Sequence, residues 1–119
     1  MKRDMDLIRA IALRIEAEPS GWAPDGLTIE GYSAEQVGYH TLLMIESGLA
    51  AGNDVSSQGD DSPSGLISRL TSAGHDFIEM SKEPTRWGHA KRIIEKIGGA
   101  SMPALIEILT KMTVSAAGM

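Results

Sequence analysis

The sequence predicts an α+β fold in a single domain of residues 1–119. Five segments place apolar residues at helical spacing, and two short apolar segments flank a polar loop in the manner of a β-hairpin. The chain is 42% apolar and has no cysteine, so it can bury one core without disulfides or a structural metal. We expect a core of residues 1–84, followed by a helical hairpin of residues 85–119.

The first predicted element is a helix that begins after Asp4 or Asp6 and ends at Pro19, because acidic residues cap and stabilise helix starts. Its apolar stripe consists of Met5, Ile8, Ile11, Ala12 and Ile15. Glycines and prolines then exclude a helix of useful length over residues 20–32. Within that stretch, Leu-Thr-Ile at residues 27–29 predicts a short strand.

A second helix is predicted to start after the capping residue Ser33 and to end before Gly48. Its predicted core face consists of Val37, His40, Thr41 and Met44, with Leu43 beside it. Two strands are expected at residues 49–51 and 66–70. Between them, residues 52–65 form a loop rich in Gly, Ser and Asp that is too hydrophilic to pack.

Three further helices are predicted in the C-terminal half. The first begins at Thr71 and is ended by Pro84, with Ala73, Phe77, Ile78 and Met80 partly buried. The next, residues 85–97, carries a shared apolar face of Trp87, Ala90, Ile93, Ile94 and Ile97. After a turn at Gly98-Gly99, Ser101 caps the last helix. Its apolar stripe consists of Met102, Leu105, Ile106, Leu109 and Met112.

Two segments resemble parts of known bacterial regulators. Residues 37–49, Val-Gly-Tyr-His-Thr-Leu-Leu-Met-Ile-Glu-Ser-Gly-Leu, resemble the stretch from the recognition helix to the first wing strand of winged-helix proteins. Residues 70–77, Leu-Thr-Ser-Ala-Gly-His-Asp-Phe, resemble the Leu-Thr-x-x-Gly segment that follows the wing. The resemblance implies a winged-helix-like core of helix, short strand, helix, two-stranded wing and helix, with two C-terminal helices added.

The chain as a whole resembles a bacterial and prophage family of unknown function. The opening segment of residues 1–9, Met-Lys-Arg-Asp-Met-Asp-Leu-Ile-Arg, carries this resemblance most specifically. The Gly-Tyr-Ser…Tyr-His block of residues 31–40 and the Leu-Thr-x-x-Gly-His block of residues 70–75 add to it. The resemblance implies a winged-helix-like fold and a frequent phage context, and it implies no reaction.

Charge is distributed unevenly along the chain, which has a net charge of −5. Residues 15–68 contain nine acidic residues and no Lys or Arg. Affinity for DNA comes mainly from Lys and Arg contacts that release counterions. We therefore expect no nucleic-acid binding through the second helix, which corresponds to the recognition helix. The stretch before Ser33 also lacks the first helix of a helix-turn-helix pair.

No pattern of residues predicts catalysis. His40, His75 and His89 lie on different predicted helices without metal-ligand spacing, and the sequence has no phosphate loop or Gly-x-Ser-x-Gly motif. Asp60 and Asp61 could bind a divalent cation weakly, but a solvated loop tip explains them better. We therefore expect no enzyme activity, no cofactor and no metal site.

Two surfaces are candidates for binding. Leu42 and Ile45 lie on the outer flanks of the second helix, where either the C-terminal helices cover them or they form an apolar patch for a protein partner. The predicted partner surface consists of Glu35, Leu42, Ile45, Glu46, Asp54, Asp60 and Asp61. A basic cluster on the fourth helix is either a solvated face or a contact for an acidic partner or nucleic acid: Arg86, Lys91, Arg92 and Lys96.

The favoured function is a non-catalytic protein-interaction module of phage or prophage origin that occupies a site on a host or phage protein, with inhibition of host defence as one such role. The alternative is a winged-helix transcriptional regulator that binds DNA through basic residues outside the recognition helix. A homodimer through residues 85–115 is also expected, the alternative being that these helices pack onto the protein's own core. No segment is long enough to span a membrane, and acids stand where a signal peptide is apolar, so we expect a cytoplasmic protein.

Overall fold

A computed structural model of the chain describes residues 1–96 and 101–117, and this part of the chain confirms the α+β fold class. It contains five helices and one two-stranded sheet. In chain order, the elements are α1 (Met5–Glu16), α2 (Ala34–Glu46), β1 (Ala50–Asp54), β2 (Gly65–Leu70), α3 (Ser72–Ser81), α4 (Pro84–Lys96) and α5 (Met102–Ala117). The predicted turn at Gly98-Gly99 and the predicted core residue Ile97 lie outside the described residues.

The chain divides into two compact units, Met1–Asp76 and Phe77–Met119, called here the first and second unit. The first unit holds α1, α2, the hairpin of β1 and β2, and the start of α3. The second unit holds the rest of α3 together with α4 and α5. The prediction of a single domain with its core at residues 1–84 and a helical hairpin at 85–119 stays a prediction.

Capping residues set the starts of α1 and α2 as the sequence predicts. The Asp4 carboxylate accepts hydrogen bonds from the backbone N–H groups of Asp6 and Leu7, which helical bonding leaves unpaired. Ser33 and Gln36 form a reciprocal capping box at the start of α2. Just after α2, Gly48 adopts a φ of +81°, a left-handed conformation that ends helices and favours glycine.

The hairpin is antiparallel and runs from the pair Ala50–Leu70 to the pair Asp54–Gly65, with a bulge after Ala51. Its first strand extends further into the predicted loop than expected, so the loop between the strands is residues 55–64. Leu-Thr-Ile at residues 27–29 forms no strand, which corrects that prediction.

The segment that pairs with the second edge of β2 lies earlier in the chain than predicted. Trp22 pairs with Arg69 as an isolated antiparallel bridge, and the N–H of Ala23 donates to the carbonyl of Ser68 over 2.8 Å. Asp25 and Gly26 then form a turn, with Gly26 at a φ of +62°, so the pairing stops there. This is the physical reason why residues 27–29, further along, do not join the sheet.

The second unit is built on packed helices. The buried residues of α4 are Trp87, Ala90 and Ile94, and α5 buries Met102, Leu105 and Leu109. Phe77 of α3 is buried edge-on to the Trp87 ring, with centroids 5.9 Å apart. These residues belong to the predicted stripes, of which Ile93, Ile106 and Met112 are only half-buried.

Two details at the helix ends of the C-terminal half correct the prediction. Pro84 is the first residue of α4 rather than only a terminator of α3, because the Glu83 carboxylate caps α4 by accepting the N–H groups of Thr85 and Arg86. Ala73, predicted to be partly buried, is exposed. None of the helices in the described ranges is both long and apolar enough to cross a membrane.

Candidate functional site

The helix α2 is fixed against the start of α1 by a polar network around His40, which is 1% exposed. The N–H of Asp4 donates to Nε2 of His40 over 2.8 Å, and Nδ1 of His40 lies 2.8 Å from the carbonyl oxygen of Gln36. A carbonyl can only accept and an N–H can only donate, so the imidazole carries its proton on Nδ1. Nε2 of the histidine therefore joins α2 to the capping residue of α1, while the bond of Nδ1 stays within α2.

Tyr32 joins the same network from the loop before α2. Its hydroxyl donates to the second carboxylate oxygen of Asp4 over 3.2 Å. Partial desolvation, followed by the negative charge of Asp4 and the hydrogen bond to it, raises the pKa of the Tyr32 phenol above its ordinary value. The segment that leads into α2 is thereby tied to the capping residue of α1.

On its other side, α2 packs against the paired strands of the hairpin at very short range. A Cβ atom at Gly65 would lie 2.7 Å from the backbone N and Cα of Leu42, and one at Gly52 would lie 2.9 Å from Cδ1 of Ile45. The hydroxyl of Thr41 reaches the Gly65 carbonyl over 2.8 Å. Glycine is required here because the backbones approach too closely for a side chain.

This packing decides where Leu42 and Ile45 lie. Leu42 is 7% exposed and Ile45 is half-buried; Gly65 lies against the backbone of Leu42, and both Gly52 and Gly65 lie against Cδ1 of Ile45. The sequence predicted that either the C-terminal helices cover these two residues or they form an exposed apolar patch. In the structure, the hairpin packs against this part of α2 instead. These two side chains contribute little apolar area to any surface.

Three of the predicted acidic residues come together beside the first turn of α2. Glu35, Asp60 and Asp61 line one open hollow of about 380 Å³, together with Ala34, Val55 and two serines. We call this the acidic hollow. Asp60 is held by local hydrogen bonds, because its carboxylate accepts the N–H of Ser57 over 2.7 Å. Glu35, Asp60 and Asp61 are all exposed, so their charges act at the surface.

The remaining two predicted acids lie elsewhere. Glu46 is exposed in the last turn of α2, at the opposite end of that helix from Glu35. Asp54 ends β1 and is not part of the lining of the acidic hollow. Hydrogen bonds from the side chain and the backbone N–H of Ser56 lower the pKa of the Asp54 carboxyl.

A second depression, which the sequence did not predict, lies next to the acidic hollow. It has a volume of about 270 Å³ and is formed by residues 23–27, one face of α2 and residues 65–67. We call it the apolar cleft, since its walls include Leu27, Val37 and Ile67. Ala34 lines both depressions, so they adjoin at the start of α2. The sequence signal was the glycine- and proline-rich stretch, which leaves no helix to fill this side of α2.

The basic residues of α4 do not form one uniform face. Nζ of Lys91 lies 5.9 Å from the centroid of the buried Trp87 ring, and Nε of Arg92 donates to the carbonyl of Gly88 over 3.3 Å. Arg92 and Lys96 are exposed, while Arg86 is half-buried. Arg92 and Lys96 are four residues apart and therefore neighbours on the helix surface.

The histidines and acids offer no assembled metal centre in the part of the chain that the structure describes. No three of their side chains there come together as a group that could hold a metal ion. His75 and His89 are exposed, and both nitrogens of His40 have protein partners.

The order of elements, with a hairpin wing packed on α2 and Trp22 paired to its second strand, defines a winged-helix-like α+β protein. Sequence comparison gives the family. Residues 2–101 match the family described as "Hypothetical protein (DUF2513)", and the chain belongs to it.

A relative from Haemophilus influenzae, described as "Uncharacterized protein", is similar to most of this chain. It is 37% identical over 99 residues, which is 80% of each of the two chains. No solved structure matches the chain. Membership of this family agrees with the resemblance to a domain of unknown function, and the prophage origin stays a prediction.

Proposed function

We propose that the chain is a cytoplasmic, non-catalytic protein-interaction module that binds a basic segment of another protein through the acidic hollow. The observation that carries the proposal is the convergence of Glu35, Asp60 and Asp61 on one open depression. These three come from two separate parts of the sequence, the first turn of α2 and the hairpin loop. A prophage origin, and inhibition of a host protein by occupying its basic surface, extend the same proposal.

Electrostatics favours a basic partner over any other class. The stretch of residues 15–68 that builds the hollow contains no Lys or Arg, so its carboxylates meet no opposite charge within that stretch. Three nearby carboxylates repel a nucleic acid and attract Lys or Arg side chains, and complementary charge speeds association and excludes wrong partners. Each exposed pair contributes modestly, so several must act together.

The test is affinity capture with a matched pair of neutralised variants. The hollow variant carries Glu35→Gln, Asp60→Asn and Asp61→Asn, and the control variant carries Glu16→Gln, Glu30→Gln and Asp76→Asn at exposed acids outside the hollow. Both change the net charge by the same amount. Each immobilised protein is incubated with a lysate of the bacterium that carries the gene, with and without nuclease, and captured proteins are identified by mass spectrometry.

The expected result is a protein that the wild type and the control variant both retain after nuclease treatment and that the hollow variant loses. Its retention should fall when the salt concentration rises, because screening shortens the range of exposed charges. Equal capture by the hollow and control variants would contradict the proposal, and so would material that disappears with nuclease.

The second candidate is DNA binding through α4, favoured by the exposed neighbours Arg92 and Lys96. The measurement is fluorescence anisotropy with a labelled duplex at several salt concentrations. We expect no measurable complex at physiological salt, because two or three phosphate contacts give little affinity. A micromolar complex that Arg92→Gln and Lys96→Gln weaken would establish DNA binding instead.

The homodimer predicted through residues 85–115 is a separate proposal, which light scattering tests directly.

A further inference from the structure

The apolar cleft exists because the chain leaves the edge of the wing sheet early. Ala23 is hydrogen-bonded to β2 at Ser68, and the turn at Asp25 and Gly26 then ends the pairing. In the described structure, the edge of β2 that faces away from β1 is paired through the bridge of Trp22 and Arg69. On that edge, residues 65–67 border the cleft instead of another strand. The floor is the face of α2 that carries Ala34, Val37 and Thr41.

The size of the cleft limits its occupant to about one large side chain and the backbone that carries it. Its volume of about 270 Å³ is slightly below the range of roughly 300–1,000 Å³ that is usual for pockets of drug-sized ligands. At the rim, Leu66 is 63% exposed, which is unusual for a leucine on a strand. An apolar side chain of a partner would bury both the floor and Leu66.

Charge around the cleft indicates what accompanies that apolar side chain. Asp25 carries the one charge among the lining residues of the cleft, and the acidic hollow adjoins it at Ala34. A peptide that enters the cleft therefore passes carboxylates on both sides. Lys or Arg residues complement these charges, and acidic or phosphorylated segments are repelled.

We propose that the apolar cleft receives a large apolar side chain of the same basic segment that binds the acidic hollow. This inference rests on the proposed function and specifies its partner: an extended peptide with an apolar anchor next to Lys or Arg residues. Because the two depressions share Ala34, the anchor lies close to the basic residues in the sequence of the peptide. The peptide runs beside residues 65–67 of β2, which line the cleft.

The test is a selection of displayed random heptapeptides on the immobilised full-length chain. We expect enriched peptides to contain at least two Lys or Arg residues together with one large apolar residue. The strongest peptide is then synthesised with a fluorescent label, and its dissociation constant is measured by anisotropy. The Leu66→Ser variant probes the cleft, and Trp22→Ser is its matched control, because Trp22 is equally exposed at 62% and does not line the cleft.

Leu66→Ser should weaken peptide binding about fivefold or more, as expected for an apolar contact at the centre of an interface, and Trp22→Ser should change it less than about twofold. Replacing the apolar residue of the peptide by Ser should cause a similar loss. Equal effects of Leu66→Ser and Trp22→Ser would overturn the inference. Enrichment of basic peptides without an apolar residue would also overturn it, and so would the absence of enriched peptides.

The same peptide separates this inference from the proposed function. If the hollow variant loses the peptide but Leu66→Ser does not, the acidic hollow binds and the role of the cleft is wrong. If the hollow variant binds the peptide as the wild type does, the proposed function is wrong. A second copy of the chain is the other occupant to exclude, and a dimer that Leu66→Ser dissociates would overturn the peptide as occupant.

Discussion

The framework around α2 and the tip of the hairpin are held together in different ways. The framework consists of the start of α1, α2 and the paired strands, and there buried side chains and glycine backbones make contacts distant in sequence. In the tip, residues 55–64, the described hydrogen bonds are local: Val55 to Ser64, Ser56 to Ser64, and Ser57 to Asp60. The tip also supplies two of the three acids of the hollow.

This difference separates stability from binding. Removing a buried hydrogen-bonding side chain of the framework leaves a polar group unpaired, and adding a side chain at one of its closely packed glycines creates a clash. Both changes lower the free energy of unfolding. Changing an exposed residue of the tip costs little stability, because its neighbours are water and the tip itself. We therefore expect framework substitutions to unfold the protein and tip substitutions to change its binding.

The largest effect is expected at His40. His40→Ala leaves the N–H of Asp4 without its buried acceptor and removes the volume of a ring that is 1% exposed. Such a change should lower the free energy of unfolding by about 3 kcal/mol, measured by urea denaturation. The control is His75→Ala at an exposed position of α3, which should change it by less than about 0.5 kcal/mol. Similar losses for both histidines would contradict the role of the network.

The next effect concerns the close approach of the hairpin to α2. In Gly65→Ala the new Cβ would lie 2.7 Å from backbone atoms of Leu42, and backbone atoms cannot move aside as a flexible side chain can. We expect a loss of about 2 kcal/mol by thermal or urea unfolding. Gly59→Ala in the tip is a matched control, since a Cβ there meets nothing within 4 Å. Its stability should equal that of the wild type or exceed it slightly.

The sequence was sufficient to place the helices and the hairpin, but it predicted neither their long-range contacts nor the whole site. Local signals such as the Ser33 cap and the stripe of α1 lie within a few residues of each other, so the helices could be placed. The pairing of Trp22 with Arg69 joins residues far apart in the sequence, and the strand was therefore expected at residues 27–29. The convergence of Glu35 with the tip acids depends on that same long-range packing.

The burial of Leu42 and Ile45 illustrates the same limit. Because both side chains are apolar, the sequence predicted that either the C-terminal helices or a protein partner bury them. In the structure Gly52 and Gly65 pack against this part of α2, and glycines carry no hydrophobic pattern, so the sequence placed these two in a polar loop. Close backbone packing leaves no periodic signal, so only the three-dimensional structure shows it.

A smaller effect on stability is expected when the tip is shortened. Replacing residues 55–64 by the two-residue turn Asn-Gly keeps the paired strands and removes Asp60 and Asp61. The free energy of unfolding should change by no more than about 1.5 kcal/mol, because each halving of a loop changes the cost of closing it by only about 0.6 kcal/mol. Capture of the protein partner should be lost at the same time. A loss of several kcal/mol would mean that the tip belongs to the framework.

The smallest effect is the pH dependence of stability that Asp54 contributes at the end of β1, next to the tip. The side chain and the N–H of Ser56 stabilise the ionised Asp54 carboxyl and hold its pKa below the ordinary value of 3.8. The folded state therefore binds this proton less readily than the unfolded chain. The stabilisation is present above the ordinary pKa and is lost as the pH falls through the lower folded-state value.

An NMR titration of the Asp54 carboxyl measures this directly. Ser56→Ala removes the side-chain hydrogen bond, which is the largest cause, and should raise the pKa of Asp54 towards 3.8, with the backbone N–H bond remaining. Ser57→Ala is the matched control, because the described contact of Ser57 uses its backbone N–H towards Asp60. If both variants titrate alike, the Ser56 side chain does not hold Asp54, and the turn between the paired strands and the tip is not fixed by that bond.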